Sequence, residues 1–228
     1  TPVISSAASD VYKRQVKSGI NMKRTVHVIG NGDHAGYFWN EPRHGMRLCC
    51  NVPPFSVPNS YATIMVDFKM MKAIHEGSVT VGGEWIIGMR PKIYMGNNPS
   101  FHLKYSHHIK EFYTELPKYV ANYTDFNCGH MAVHYAANKV KAEEIHMYGF
   151  DSIFDFNLRS TSDLFLNSDR GNNNNNRLAN NWRPVWENMF KEFPNTNFIL
   201  YHKHNAIKLT LPPNATVKVY DKMAKQPN

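Results

Sequence analysis

The chain has 228 residues, 42% hydrophobic and 13% aromatic, which is enough for one substantial core and too few for two α/β domains of ordinary size. Its three cysteines, two of them adjacent at Cys49 and Cys50, exclude a disulfide framework and fit a reducing compartment, and no apolar run approaches the roughly 20 residues that a membrane span requires. The formal charge of +8 is dispersed, with about +2 in residues 1–21 and about +6 beyond them; without a Lys/Arg block among aromatics or a basic recognition helix, nucleic acid is not the expected partner and the expected location is cytoplasmic.

Residues 1–21 carry no sustained apolar period and resemble a translated adapter fragment, so the expectation is a disordered or artefactual segment with the natural start at Met22. Thr25-Val26-His27-Val28-Ile29 then reads as a buried strand that breaks into the turn Gly30-Asn31-Gly32. Met46 to Asn51 reads as a second strand, followed by a stiff connection with Pro53, Pro54 and Pro58. Tyr61 to Asp67 reads as a third strand ending on a carboxylate, Phe68 to His75 as a helix stopped by Gly77, and Glu84 to Met89 as a fourth strand.

Pro91 to Pro99, with Gly96, Asn97 and Asn98, reads as a loop, and His102 to Leu116 as a mixed, helical stretch ended by Pro117. Cys128 to Val140 has a small-residue apolar face and reads as a helix feeding the strand Glu144 to Tyr148, which closes in Gly149-Phe150-Asp151. Residues 152–180 are polar and read as a long surface loop. Trp182, Val185, Trp186, Met189, Phe190 and Phe193 mark a final amphipathic helix, followed by a strand at Asn197 to His202 and an edge strand at Thr216 to Tyr220. Strand, glycine turn, helix and strand in alternation predict one three-layer, Rossmann-like α/β domain over residues 22–222 with a mainly parallel sheet, and a short tail over 223–228.

A parallel sheet gathers its strand ends at one edge, and four of these ends carry small or polar groups: Gly30-Asn31-Gly32, Asn51, Asp67 and Gly149-Phe150-Asp151. Each has a local explanation as a turn or cap, yet together they predict a shared polar cleft. His130 and His134 stand four apart with Cys128 nearby, and His107-His108 and His202-x-His204 add imidazoles. Without a His-Glu-x-x-His pattern or an evident set of three or four converging ligands, the expectation is that the chain holds no metal. Cys49 and Cys50 read as strand core, since nothing places a base beside them.

Val28-Ile29-Gly30-Asn31-Gly32, Cys50-Asn51 and the helix feeding Ile145 to Asp151 resemble the bacterial sialyltransferases of glycosyltransferase family 42 and related sialyltransferase-like Rossmann proteins, over roughly residues 25–205. The whole chain also resembles proteins encoded by marine bacteriophages, which would place it in an infected host cell. The resemblance implies a glycosyltransferase with a nucleotide-activated sugar as substrate, cytidine monophosphate-linked in that family, an unknown acceptor and no further cofactor. It assigns nucleotide binding to Gly30, Asn31, Gly32 and Asn51, beside which Asp67 stands as a further candidate. Two features depart from the family. Asp33-His34 replaces Pro-Ser after the first turn, and residues 152–180 contain no histidine to match the family's catalytic base. His34, Arg170 and Asp151 are the remaining candidates for the chemistry, with Asp163 and Asp169 as possible carboxylate bases. The competing expectation is a phage protein that binds a nucleotide or a partner without catalysis.

Overall fold

A computed structural model describes residues 23–42, 44–155, 176 and 178–228. Arg170, Asp163, Asp169, segment 1–21 and most of the expected 152–180 loop lie outside the described residues. The described residues form one eight-stranded sheet in the order β5-β4-β3-β2-β1-β6-β7-β8, and every pairing is parallel. The strands are β1 Thr25–Ile29, β2 Met46–Cys50, β3 Ala62–Met65, β4 Trp85–Ile87, β5 Ile109–Phe112, β6 Glu144–Tyr148, β7 Asn197–His202 and β8 Ala215–Val219.

Alternation along the strands sorts side chains between the two faces of the sheet. Val26, Val28, Ile64, Ile86, Ile145, Met147, Phe198 and Leu200 enter one core with helix α4 (Cys128–His134) and helix α5 (Arg183–Glu192). On the other face, Met65, Trp85 and Ile87 pack with α1 (Phe68–His75), α2 (Met89–Asn97) and α3 (Pro99–Tyr105). Ile29, Tyr148 and Tyr201 lie on that same face beneath the 3-10 helix Asp33–Asn40. The chain thus winds outward from β1 with its helices on one face, then returns to β6 and winds the other way with helices on the opposite face. Right-handed crossovers require this change of face when the winding direction reverses. The reversal lies between β1 and β6.

Two expectations over residues 91–116 are corrected. The expected loop from Pro91 is helix α2, because Pro91 sits in the first turn, where its missing N–H breaks no helical bond, and Pro91 and Met95 are buried. The expected helical stretch from His102 ends at Tyr105 and becomes edge strand β5, whose four residues are all half-buried and give no period to read. The helix from Cys128 keeps α-geometry to His134 and then widens into a π-turn, Tyr135–Lys139. At the other end of the chain, Asn40 donates to the Lys222 carbonyl and accepts from the Ala224 N–H, fastening the start of the expected tail to the 3-10 helix.

Candidate functional site

The loops leaving β1 and β6 begin side by side and then part toward opposite faces, which is where open α/β sheets receive ligands. At this point the two strands are knitted together before they separate. The Gly30 N–H donates to the Tyr148 carbonyl at 2.7 Å, and the Gly32 N–H donates to the Gly149 carbonyl at 3.1 Å. A Cβ on Gly30 would lie 2.7 Å from the Gly149 oxygen, and one on Gly32 would lie 2.6 Å from the Asp151 carboxylate. Gly32 has φ −73°, so close approach and not unusual torsion is what requires glycine there. The Gly30 and Gly32 N–H groups, in the turn to which the resemblance assigns nucleotide binding, are therefore engaged with the end of β6 and the residue after it.

Beyond this seam the side chains converge. His34, in the first turn of the 3-10 helix, places Nδ1 2.9 Å from Asp151 Oδ2, yet the ring nitrogen makes no hydrogen bond. Its backbone N–H donates weakly to the same carboxylate oxygen at 3.4 Å. Asp151 opens a short 3-10 turn after β6, and its Oδ1 is buried without a hydrogen-bond partner. The last residue of β7, His202, is fully buried, with Nδ1 3.9 Å from Asp151 Oδ1 and Nε2 3.1 Å from Asp155 Oδ2. Its ring stacks on Phe154 at 4.0 Å between centroids.

Electrostatics follows from this burial. Desolvation, reinforced by the neighbouring His34, lowers the His202 pKa to about 4, so the ring is neutral near pH 7. Burial alone would raise the Asp155 carboxyl, but hydrogen bonds from His202 and His204 outweigh it and hold the group below its ordinary value. His204 places Nε2 3.2 Å from Asp155 Oδ1, and its Nδ1 accepts from the Ala206 N–H. The result is an alternating row: His34, Asp151, His202, Asp155, His204.

The expected residues distribute unevenly around this row. Gly30, Gly32, His34 and Asp151 meet at the β1/β6 seam. Asn31 and Asn51 follow β1 and the adjacent β2, each with a buried side-chain carbonyl that has no hydrogen-bond partner. Asn51 adopts φ 48°, a left-handed conformation that asparagine tolerates. Asp67, farther along the edge after β3, makes an ion pair with Arg90 at 2.7 Å and no side-chain cap bond. Sequence reasoning gave no role to Asp155 and weighed His202 and His204 only as stray imidazoles. The available signal was a His-x-His at the end of the strand following the Gly-Phe-Asp turn.

His130 and His134 use both ring nitrogens on protein partners. His130 Nδ1 accepts from the Asn127 N–H, and its Nε2 lies 3.1 Å from the Trp182 carbonyl. His134 contacts the Tyr113 hydroxyl and Glu192. Cys49 and Cys50 are buried in β2, and burial raises the Cys49 thiol to about 11. Among the described residues, no helix is long and apolar enough to cross a membrane. Comparisons with protein-family models, with curated proteins and with solved structures found no match.

Proposed function

We propose that this chain is a transferase that moves a sugar from a nucleotide-activated donor to an acceptor hydroxyl. One observation carries the reading: an imidazole–carboxylate cluster, His34, Asp151 and His202, stands at the point where the sheet reverses its winding. Beside it, the unpaired carbonyls of Asn31 and Asn51 can accept hydrogen bonds from a base or ribose, while the amide nitrogens can donate. Transfer through an oxocarbenium-like transition state needs a proton acceptor for the attacking hydroxyl and a positive group near the departing phosphate. The cluster supplies the first, and Arg170 is the candidate for the second.

A thermal-shift screen of nucleotides and nucleotide sugars tests the proposal, with cytidine monophosphate first by resemblance. A ligand at about 100 times its dissociation constant stabilises the fold by roughly 2.7 kcal/mol, worth about 5–10 °C here. Asn31→Ala should remove most of that shift. No shift with any nucleotide at millimolar concentration would refute both the transferase and the nucleotide-binding readings. A second reading, binding without turnover, is favoured by the lack of a histidine in residues 152–180 to match the catalytic base of the resembled family. Ligand-induced stabilisation without donor hydrolysis or transfer would select it.

A further inference from the structure

We propose that His34, Asp151 and His202 form a binding site for a divalent first-row transition-metal ion, zinc being the first to test, with Asp155 and His204 as its supporting residues. This goes beyond the transferase reading and does not depend on it, because its readout is metal uptake. The three ligand atoms come from separate parts of the chain, the start of the 3-10 helix, the turn after β6 and the end of β7, yet all lie within 4.8 Å of one another.

The orientation of His202 follows from a chain of donors. Ala206 N–H donates to His204 Nδ1, so a neutral His204 carries its proton on Nε2 and directs it to Asp155. Asp155 accepts at its other oxygen from His202 Nε2. A neutral His202 with its proton on Nε2 presents a bare lone pair at Nδ1, and that lone pair faces Asp151 Oδ1 at 3.9 Å. Neither atom has a hydrogen-bond partner, and both are buried. His34 Nδ1 is also buried and lies 2.9 Å from Asp151 Oδ2 without being aligned for a hydrogen bond to it. The facing electron pairs of His202 Nδ1 and Asp151 Oδ1 repel one another in a medium of low polarity, and a cation between them reverses the sign of the interaction.

Geometry and ligand chemistry agree with this. Metal–nitrogen bonds of about 2.0–2.1 Å at tetrahedral angles separate ligand atoms by about 3.4 Å. The separations to the two oxygens of Asp151, 2.9 Å from His34 and 3.9 Å from His202, lie on either side of that value, and the three ligand atoms draw together from within 4.8 Å to close around an ion. A carboxylate holding the far nitrogen of a ligating histidine is the arrangement that fixes ring orientation and tautomer at metal sites. The neighbouring trio Asp155, His202 and His204 is the weaker candidate, because both of its imidazole Nε2 atoms are committed to Asp155 as donors. Three protein ligands of this type leave a position open, as in catalytic rather than structural sites, and a water bound there would be acidified toward neutral pH.

The test uses the full chain without a histidine tag, stripped with chelator and titrated with zinc by calorimetry and elemental analysis. The expected result is about one equivalent bound, a raised melting temperature, and uptake abolished by His34→Ala and by His202→Ala. Asp155→Asn should weaken binding by about 10–100-fold. His107→Ala, at an exposed histidine remote in sequence from the cluster, should leave uptake unchanged. Where His202→Ala does not fold, cobalt uptake by the wild type decides, since a site of low coordination number gives intense visible absorption. The proposal is overturned by uptake below about 0.2 equivalents at saturating zinc, by cobalt absorption no stronger than that of the free ion, by uptake that survives His34→Ala in a folded protein, or by uptake that depends on His107.

Discussion

Acidification should unfold this protein through histidines that have no contact with the proposed site, and His130 offers the cleanest measurement. Its ring is fully buried, with Nδ1 accepting from the backbone at Asn127 and Nε2 directed to the Trp182 carbonyl. Burial lowers its pKa from 6.5 to about 3, against a smaller opposing effect of that carbonyl. The sign follows directly. Above pH 6.5 the ring is neutral in both states and contributes no pH dependence. Below it the unfolded chain binds a proton that the folded chain refuses, so stability falls as pH drops from 6.5 toward 3. At pH 5, about 1.5 units below the unfolded value, the loss is about 2 kcal/mol, or about 4–8 °C in melting temperature for a domain of this size. Urea denaturation of the wild type and His130→Gln at pH 7 and pH 5 isolates the effect. The variant should be less stable at pH 7 by about 1–3 kcal/mol for its lost hydrogen bonds, yet lose about 2 kcal/mol less on acidification. His27, lowered to about 4 by burial, adds acid sensitivity to both proteins and cancels in the comparison. Equal acid sensitivity in the two proteins, or a proton titrating on His130 near pH 6 by NMR, would refute the argument.

Gly30→Ala should destabilise the fold by about 3 kcal/mol in chemical denaturation, because its new Cβ meets backbone oxygens of Gly149 and Tyr148 that cannot swing aside. Gly96→Ala, with open space around it in helix α2, should instead be neutral or stabilising by up to about 1 kcal/mol, so equal effects at the two sites would contradict the packing account. All three cysteines are buried, so a thiol reagent should find essentially no reactive group in the native protein at pH 8 and three after denaturation. Rapid native labelling of any one would show that β2 or the start of α4 opens readily.

The sequence determined much of the frame by itself. A β-branched run ending in glycine marked β1, the Gly149-Phe150-Asp151 turn marked the end of β6, and the spacing of Val185, Trp186, Met189 and Phe190 marked α5, because burial on one face of a helix leaves a local period. Where burial was incomplete the period vanished. β5 is half-buried throughout and was indistinguishable from helix, while α2 was hidden by Pro91 and Gly96, which helices accept at a first turn or an exposed face. Asn31 and Asn51 could be nominated from their positions after strands, since a parallel sheet must collect such ends. Their unpaired carbonyls, and the loss of the Gly30 and Gly32 N–H groups to β6, were decided only by tertiary contacts. The row His34, Asp151, His202, Asp155 and His204 joins residues up to 170 positions apart, and its members meet because β6 pairs with both β1 and β7. No local pattern encodes that adjacency. It follows from strand order, which is settled by the packing of the whole sheet.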